Sequence, residues 1–357
     1  MIGLGTTARA GTEDSVRRLL VLVAALFLVA APVGWAVAQG VTGAGSSLAY
    51  PILSRWSQAY QRVQSDAEFQ PMGTGLDFEP SGSQAGIMRL QEGAVDFGAT
   101  DAPLSAEELT RYSLGQFPIV IGGIIVAVNL EGVPAGRLRL TGEMIADIYL
   151  GAVRNWSDPG IRLLNPGLTL PDAPIAVLRR SDGSGTTFNF TDYLTKLSPR
   201  WRAEIGRGLR VAWPVGAGAR GNDGMAETLR RTPNSIGYVD FAQARAAGLS
   251  HALLRNRAGA FVSPGVDSFK AAAESADGDP VDGSLLTNAP GEASYPIVAT
   301  TYALLPRRTA TLARSRAAIA FFRWSLDHGA PAAAELGYVA LPPGMVERVK
   351  AYWASNF

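Results

Sequence analysis

The chain has no cysteine and only two histidines among its 357 residues, His251 and His328. Without cysteine there is no disulfide framework and no thioether anchor for a lipid at an N-terminal Cys, so the fold must rest on a large core, which this length allows. With no cysteine and no histidine cluster, a transition-metal site of the usual N/S type is not expected, and no metal or other cofactor is assigned. A Ser-His-Asp triad would have to recruit one of two histidines that lie far from every motif described below. His251 sits among polar neighbours and His328 at a helix end, the places of surface or capping residues.

Bulk charge is also missing. Three of the 32 basic and two of the 31 acidic residues fall within residues 1–38, which leaves 29 of each in the remainder. Such a balanced chain has no field to draw nucleic acid or anionic lipid, so an anion must be held locally, by a site. Long apolar runs are absent except at the start. There Arg17 and Arg18 precede an apolar stretch from Leu19 to Ala31, and Ala36-Val-Ala38 offers small residues for cleavage. Residues 1–38 read as a secretory signal peptide cleaved after Ala38, with an uncleaved anchor as the alternative. No repeat of solenoid period occurs.

What the chain does have is glycine and serine at strand-to-helix junctions. The most pronounced is Ile175-Ala-Val-Leu-Arg-Arg-Ser-Asp-Gly-Ser-Gly-Thr-Thr-Phe188. Ile175 to Leu178 reads as a buried strand, and Phe188, Leu194 and Leu197 recur at helical spacing. Between them, small residues let backbone N–H groups converge at a helix N-terminus, and Arg180 supplies a planar fork suited to an oxyanion. The alternative is a Gly-rich turn with an Arg180–Asp182 surface pair. The stretch is no P-loop, because no Lys follows its last Gly. Two earlier junctions resemble it. Val41-Thr-Gly-Ala-Gly-Ser-Ser-Leu48 leads into a helix with Ile52, Trp56, Ala59 and Val63 on one face, capped by Ser46 or Ser47. Phe78-Glu-Pro-Ser-Gly-Ser-Gln-Ala-Gly-Ile87 starts a second helix, with Ser83 as its cap, before a strand at Val95–Ala99 that ends in Asp101. Three serine-bearing helix starts, a strand-end Arg and a strand-end Asp could enclose one tetrahedral oxyanion.

Several long, ordered motifs resemble the periplasmic phosphate-binding proteins of phosphate-specific ABC transporters: Thr42-Gly-Ala-Gly45, Asp96-Phe-Gly-Ala-Thr-Asp-Ala-Pro-Leu-Ser105, Phe117-Pro-Ile-Val-Ile-Gly-Gly123 and Arg179-Arg-Ser-Asp-Gly-Ser-Gly-Thr186. Asp147-Ile-Tyr-Leu-Gly151, Asn155-Trp156, Leu164-Asn-Pro-Gly167, Gly221-Asn-Asp-Gly224, Ile236-Gly-Tyr-Val239 and Phe321-Phe-Arg-Trp324 extend the similarity from Val41 nearly to the end.

The resemblance implies an α/β fold of the type II periplasmic-binding-protein kind. Two lobes, each a mainly parallel sheet flanked by helices, are joined by two crossing strands. Lobe I takes residues 39–121 and 297–357, and lobe II takes 122–296. It implies a phosphate site made by the Ser47 hydroxyl, the Leu48 amide, Ser83, the acceptor carboxylate of Asp101, Arg180 with its partner Asp182, and the run Ser184, Gly185 and Thr186. The family's consecutive serines are broken here into Ser81-Gly-Ser83, so Ser81 competes with Ser83 for that role. Residues 72–77 look like an insertion without an assigned role. The implied protein is a non-enzymatic, monomeric periplasmic carrier that binds inorganic phosphate, delivers it to a transmembrane permease, and has no nucleic-acid partner. A secreted phosphatase, or a carrier of another oxyanion such as sulfate or molybdate, is the alternative; Asp101 speaks against sulfate.

Beyond the site, helices are expected at Leu140–Gly151, Gly224–Arg231, Phe269–Glu274 and Ala317–Leu326. Strands are expected at Ile236–Val239 and Ile297–Leu305. Ser263–Pro296 reads mostly as surface loop.

Overall fold

A computed structural model describes residues 40–65, 76–307 and 312–357. The leader at 1–38 and most of the 72–77 insertion lie outside the described residues. Among those described, no helix is long and apolar enough to cross a membrane.

Twelve strands appear among the described residues: β1 (Thr42–Gly45), β2 (Asp77–Glu79), β3 (Phe97–Thr100), β4 (Leu114–Asn129), β5 (Arg139–Leu140), β6 (Ala176–Arg180), β7 (Ala217–Ala219), β8 (Ser235–Asp240), β9 (Ser250–His251), β10 (Leu253–Arg255), β11 (Phe261–Val262) and β12 (Val298–Pro306). The main sheet runs β2-β1-β3-β12-β4-β8-β6-β7, with β9 also paired to β4. A small sheet holds β11, β10 and β5. The outer pairs β1–β2, β1–β3, β6–β7 and β6–β8 are parallel. The antiparallel pairs of the main sheet all involve β4 or β12. The sheet is thus parallel at both ends and antiparallel in the middle, where two long strands run through it.

β4 organises this arrangement. Its first half, to Gly123, pairs with β12, and from Ile124 it pairs with β8. Nearly every residue of it is buried, as its mostly apolar sequence requires of a strand covered on both faces. The register against β12 slips between Thr301 and Tyr302, opposite Val120 and Pro118. Pro118 has no N–H to give the ladder, and a bulge absorbs that loss. Gly123 lies at the change of partner, where a Cβ would stand 2.0 Å from the Phe269 ring. The end of the Phe269 ring can therefore approach the strand this closely only because that position is glycine.

Helices cover both faces. Helix Leu312–His328 brings Phe321 and Phe322 against Tyr60, Phe97 and Phe117. Helix Gly185–Leu197 lays Phe190 on Tyr238 of β8, with ring centroids 4.2 Å apart and planes 12° apart. The apolar core is continuous across the sheet, and residues from Gly40 onward form one compact unit.

Three expectations change. The helix after β1 spans Tyr50–Ser65, and its Val63 is 52% exposed. The inward row is Ile52, Trp56 and Tyr60, spaced by four, and Tyr60 meets Phe321 and Trp324. The helix expected from Gly224 begins at Gly221, whose φ of 71° sharply turns the chain into it. The second junction has Gly82 at its N-cap with no side-chain cap, so Ser83 is not the cap of helix Ser83–Gln91. Its hydroxyl is used elsewhere.

Candidate functional site

The site gathers at the carboxyl ends of parallel strands, where open α/β sheets place their ligands. β1 delivers Ser46, Ser47 and Leu48; the segment after β2 delivers Ser83; β3 ends at Asp101. β6 ends at Arg180 and leads into Asp182, Ser184, Gly185 and Thr186, while β7 leads to Asn222. Sharp backbone at Gly45, with φ 141°, lets β1 turn against β3, and Ser46 N–H donates to the Ala99 carbonyl at 2.8 Å.

Asp101 lies at the centre and is 1% exposed. Ser46 Oγ donates to its carboxylate at 2.6 and 2.7 Å, and Thr301 Oγ1 donates at 2.7 Å. Burial pushes the carboxyl up to about 6, against the lowering effect of the Ser46 and Thr301 hydroxyls and of the nearby Arg180 charge. Ser83, fully buried, accepts from Asp101 N–H at 3.2 Å and from Gly185 N–H at 3.1 Å. It joins the end of β3 to the junction after β6, with Gly185 lying 102 residues from Ser83 in the chain. Gly185 is required at that junction: a Cβ there would lie 2.5 Å from Ser83 Oγ and 2.6 Å from Asp101 Oδ2. Asn189, one turn into the helix, donates to the Asp101 carbonyl at 2.7 Å and the Gly185 carbonyl at 2.9 Å.

Arg180 is 2% exposed and forms a fork with Asp182, through Nε at 2.7 Å and through Nη2. Burial raises the Asp182 carboxyl, but the Arg180 hydrogen bonds and charge, with the Gly221 N–H, outweigh it and hold Asp182 below the usual range. The remaining Nη1 donates to Thr186 Oγ1 at 3.5 Å. Tyr238 receives the Arg180 N–H at 3.0 Å and bonds Thr187 at 2.7 Å, so the aromatic stack fixes the end of β6. Ser184 caps its helix by accepting from Thr187 N–H at 3.1 Å.

Ser47 accepts from both the backbone and the side chain of Asn222, at 3.2 and 3.1 Å, and Asn222 also donates to Thr186 at 3.2 Å. The Leu48 N–H donates to Ser46 Oγ at 3.1 Å, a turn that precedes the helix beginning at Tyr50. The structure therefore brings Ser47, Leu48, Ser83, Asp101, Arg180, Asp182, Ser184, Gly185 and Thr186 to one place. It turns Ser81 elsewhere. Sequence reasoning missed Ser46 as a partner of Asp101, and missed Asn189, Asn222 and Thr301 altogether. Asn222 stood inside the quoted Gly221-Asn-Asp-Gly224 match, but with the helix started at Gly224 it had no direction.

Both histidines lie on other parts of the surface. His251 bonds Ser263 at 3.3 Å, with burial pulling it below its ordinary range, and His328 packs on Trp324. Among the described residues no cluster of His, Cys, Asp or Glu could hold a metal ion. Chemically, the site offers a guanidinium, hydroxyls and helix-start amides for an anion's oxygens, and one carboxylate that can accept a proton from it.

Residues 7–328 match the model of the PBP superfamily domain. The chain is 44% identical over 319 residues to the phosphate-binding protein PstS of Xylella fastidiosa, covering 89% of this chain and 85% of that one. It is 41% identical over 321 residues to the Pasteurella multocida protein of the same name, covering 89% and 91%. In three dimensions it is similar to a phosphate-binding protein from Stenotrophomonas maltophilia, with a TM-score of 0.60 and 20% identity over 88% of this chain and 93% of that one.

Proposed function

The chain belongs to the PBP superfamily and, within it, to the family of the phosphate-binding PstS proteins, and from that premise we propose that it captures inorganic phosphate and delivers it to an ABC permease. The observation that carries this reading is the buried carboxylate of Asp101 inside an otherwise donor-rich anion site. Phosphate near neutral pH keeps at least one proton, and an ionised carboxylate can only accept one. Ser47, Leu48, Ser83, Arg180, Ser184, Gly185 and Thr186 take the other oxygens, and Asp182 orients Arg180.

Capture works by closure. Residues 40–121 and 297–357 act as one lobe and 122–296 as the other, hinged where β4 changes partner. Ser47, Ser83 and Asp101 come from the first lobe and Arg180 to Thr186 from the second, so bound phosphate stabilises the closed state by contacts the open state lacks. Charge-assisted hydrogen bonds contribute about 1.5–3 kcal/mol each, and a micromolar complex needs only about 8 kcal/mol. A few such bonds, less the cost of closure, suffice.

The protein is a carrier and not a catalyst. Neither histidine bonds to a site residue. It acts as a monomer in the periplasm after cleavage behind Ala38, which N-terminal sequencing of exported protein should read as Gln39. Purified protein is expected to bind phosphate stoichiometrically and to release none from phosphomonoesters. Turnover that disappears with Arg180→Lys would instead make the site that of an enzyme.

A further inference from the structure

A second cavity, of about 390 Å³, lies outside the buried network, against the far side of the Arg180–Asp182 pair. One wall comes from the segment after β2, with Ser81 and Gln84; the other carries Ser181, Asp182, Arg210 and Arg220. Arg210 is held by Gln84 Oε1 at 3.0 Å and the Ser181 carbonyl at 3.1 Å. Those bonds use Nε and Nη1 and leave Nη2 uncommitted. Arg220 is exposed and has neither a hydrogen bond nor an ion pair among the described residues. The Ser81 hydroxyl is buried with no partner. Asp182 adds little repulsion, since both its oxygens are engaged, by Arg180 and by the Gly221 N–H at 3.2 Å. The cavity thus combines two guanidiniums with spare donors, an unsatisfied buried hydroxyl and one neutralised carboxylate.

We propose that this cavity is a second, outer anion subsite that takes a tetrahedral oxyanion, inorganic phosphate in the first instance, through Arg210, Arg220 and Ser81. The planar guanidinium fork suits the oxygens of such an ion, and the serine hydroxyl satisfies itself by donating to it. The subsite holds its anion weakly, because both arginines are solvated. Its place one ion pair away from the cradle makes it a first stop for incoming phosphate, a role that rests on the function proposed above; the binding itself does not.

Equilibrium binding of labelled phosphate up to millimolar concentration tests it, on the parent, on Arg210→Ala/Arg220→Ala and on Arg180→Lys. The parent should take two phosphates per chain, one tightly and one weakly. The double substitution should keep the tight one and weaken the other by about tenfold or more. Ser81→Ala, which leaves the charge unchanged, should weaken the outer site severalfold and so separate a built subsite from a loss of general positive charge. Arg180→Lys should lose the tight phase and keep the weak one. A parent that saturates at one phosphate, or a weak phase that neither the arginine nor the Ser81 substitution moves (an adventitious ion only), overturns the proposal. A parent with no tight phase but a weak phase sensitive to these substitutions would overturn the capture function and leave the outer subsite standing.

Discussion

Asp101 sits where an anion site has least use for a negative charge. Ser46 and Thr301 donate to its oxygens, while its own N–H donates to Ser83 Oγ. On the proposed reading this arrangement discriminates by proton count: phosphate offers an O–H to the carboxylate, whereas sulfate presents a bare oxygen to it in a desolvated place. Sites built to bond a substrate group can reject an analogue lacking it by about 10⁴–10⁵. Replacing Asp101 with Asn should admit sulfate, since the amide can donate, and sulfate should then compete with labelled phosphate on the variant. Continued exclusion of sulfate by Asp101→Asn would move the discrimination to another residue. A second buried carboxyl lies nearby. Asp240, at the end of β8, caps its helix through the Gln243 N–H at 2.9 Å and keeps Oδ2 unpartnered. Burial pushes it up to about 8, with the Asp101 charge adding to the rise. Its folded value is above its unfolded one, so its contribution to stability is complete below the ordinary value of 3.8 and is lost as pH rises to about 8. Between neutrality and pH ~9 the ligand-free parent should therefore lose stability, by about 1–2 kcal/mol, and Asp240→Asn should show a flatter profile in thermal melts. Equal slopes for the two proteins would mean that Asp240 does not titrate in that window.

At the level of elements, most strands and helices of the site were legible because apolar periodicity and Gly-Ser junctions are local signals. The strand before Arg180, the helix after Ser184 and the strand ending near Asp101 stand within two or three residues of their expected places. Ser83 shows where such signals stop. A serine at a helix start reads as a cap, yet its hydroxyl bridges Asp101 and Gly185, and no short-range pattern encodes a bond across 102 residues. Asn222 was hidden for the same reason: its partners Ser47 and Thr186 lie 175 and 36 residues away. Neither the long reach of β4 nor its change of partner at Gly123 was legible, since pairing depends on β8 and β12. On the proposed closure, that change of partner is the hinge. Small-angle scattering should show compaction when phosphate is added, and identical curves with binding proven in the same sample would remove the hinge from the mechanism.

The whole molecule uses a neutral chain to hold an anion, and so relies on placement and not on bulk charge. Strand ends from the two halves of one sheet supply the donors, and a core without disulfides keeps those ends in register. Resemblance to the family made candidate site residues nameable from sequence, whereas their mutual bonds became visible only in the fold. The central claim is selective capture of phosphate by this buried network. A calorimetric titration of the parent at neutral pH with phosphate, arsenate and sulfate tests it most directly. Phosphate and arsenate should each give one tight phase of micromolar affinity or better, and sulfate should give no heat of tight binding; a sulfate isotherm matching that of phosphate, or no tight phase with phosphate, would contradict the account.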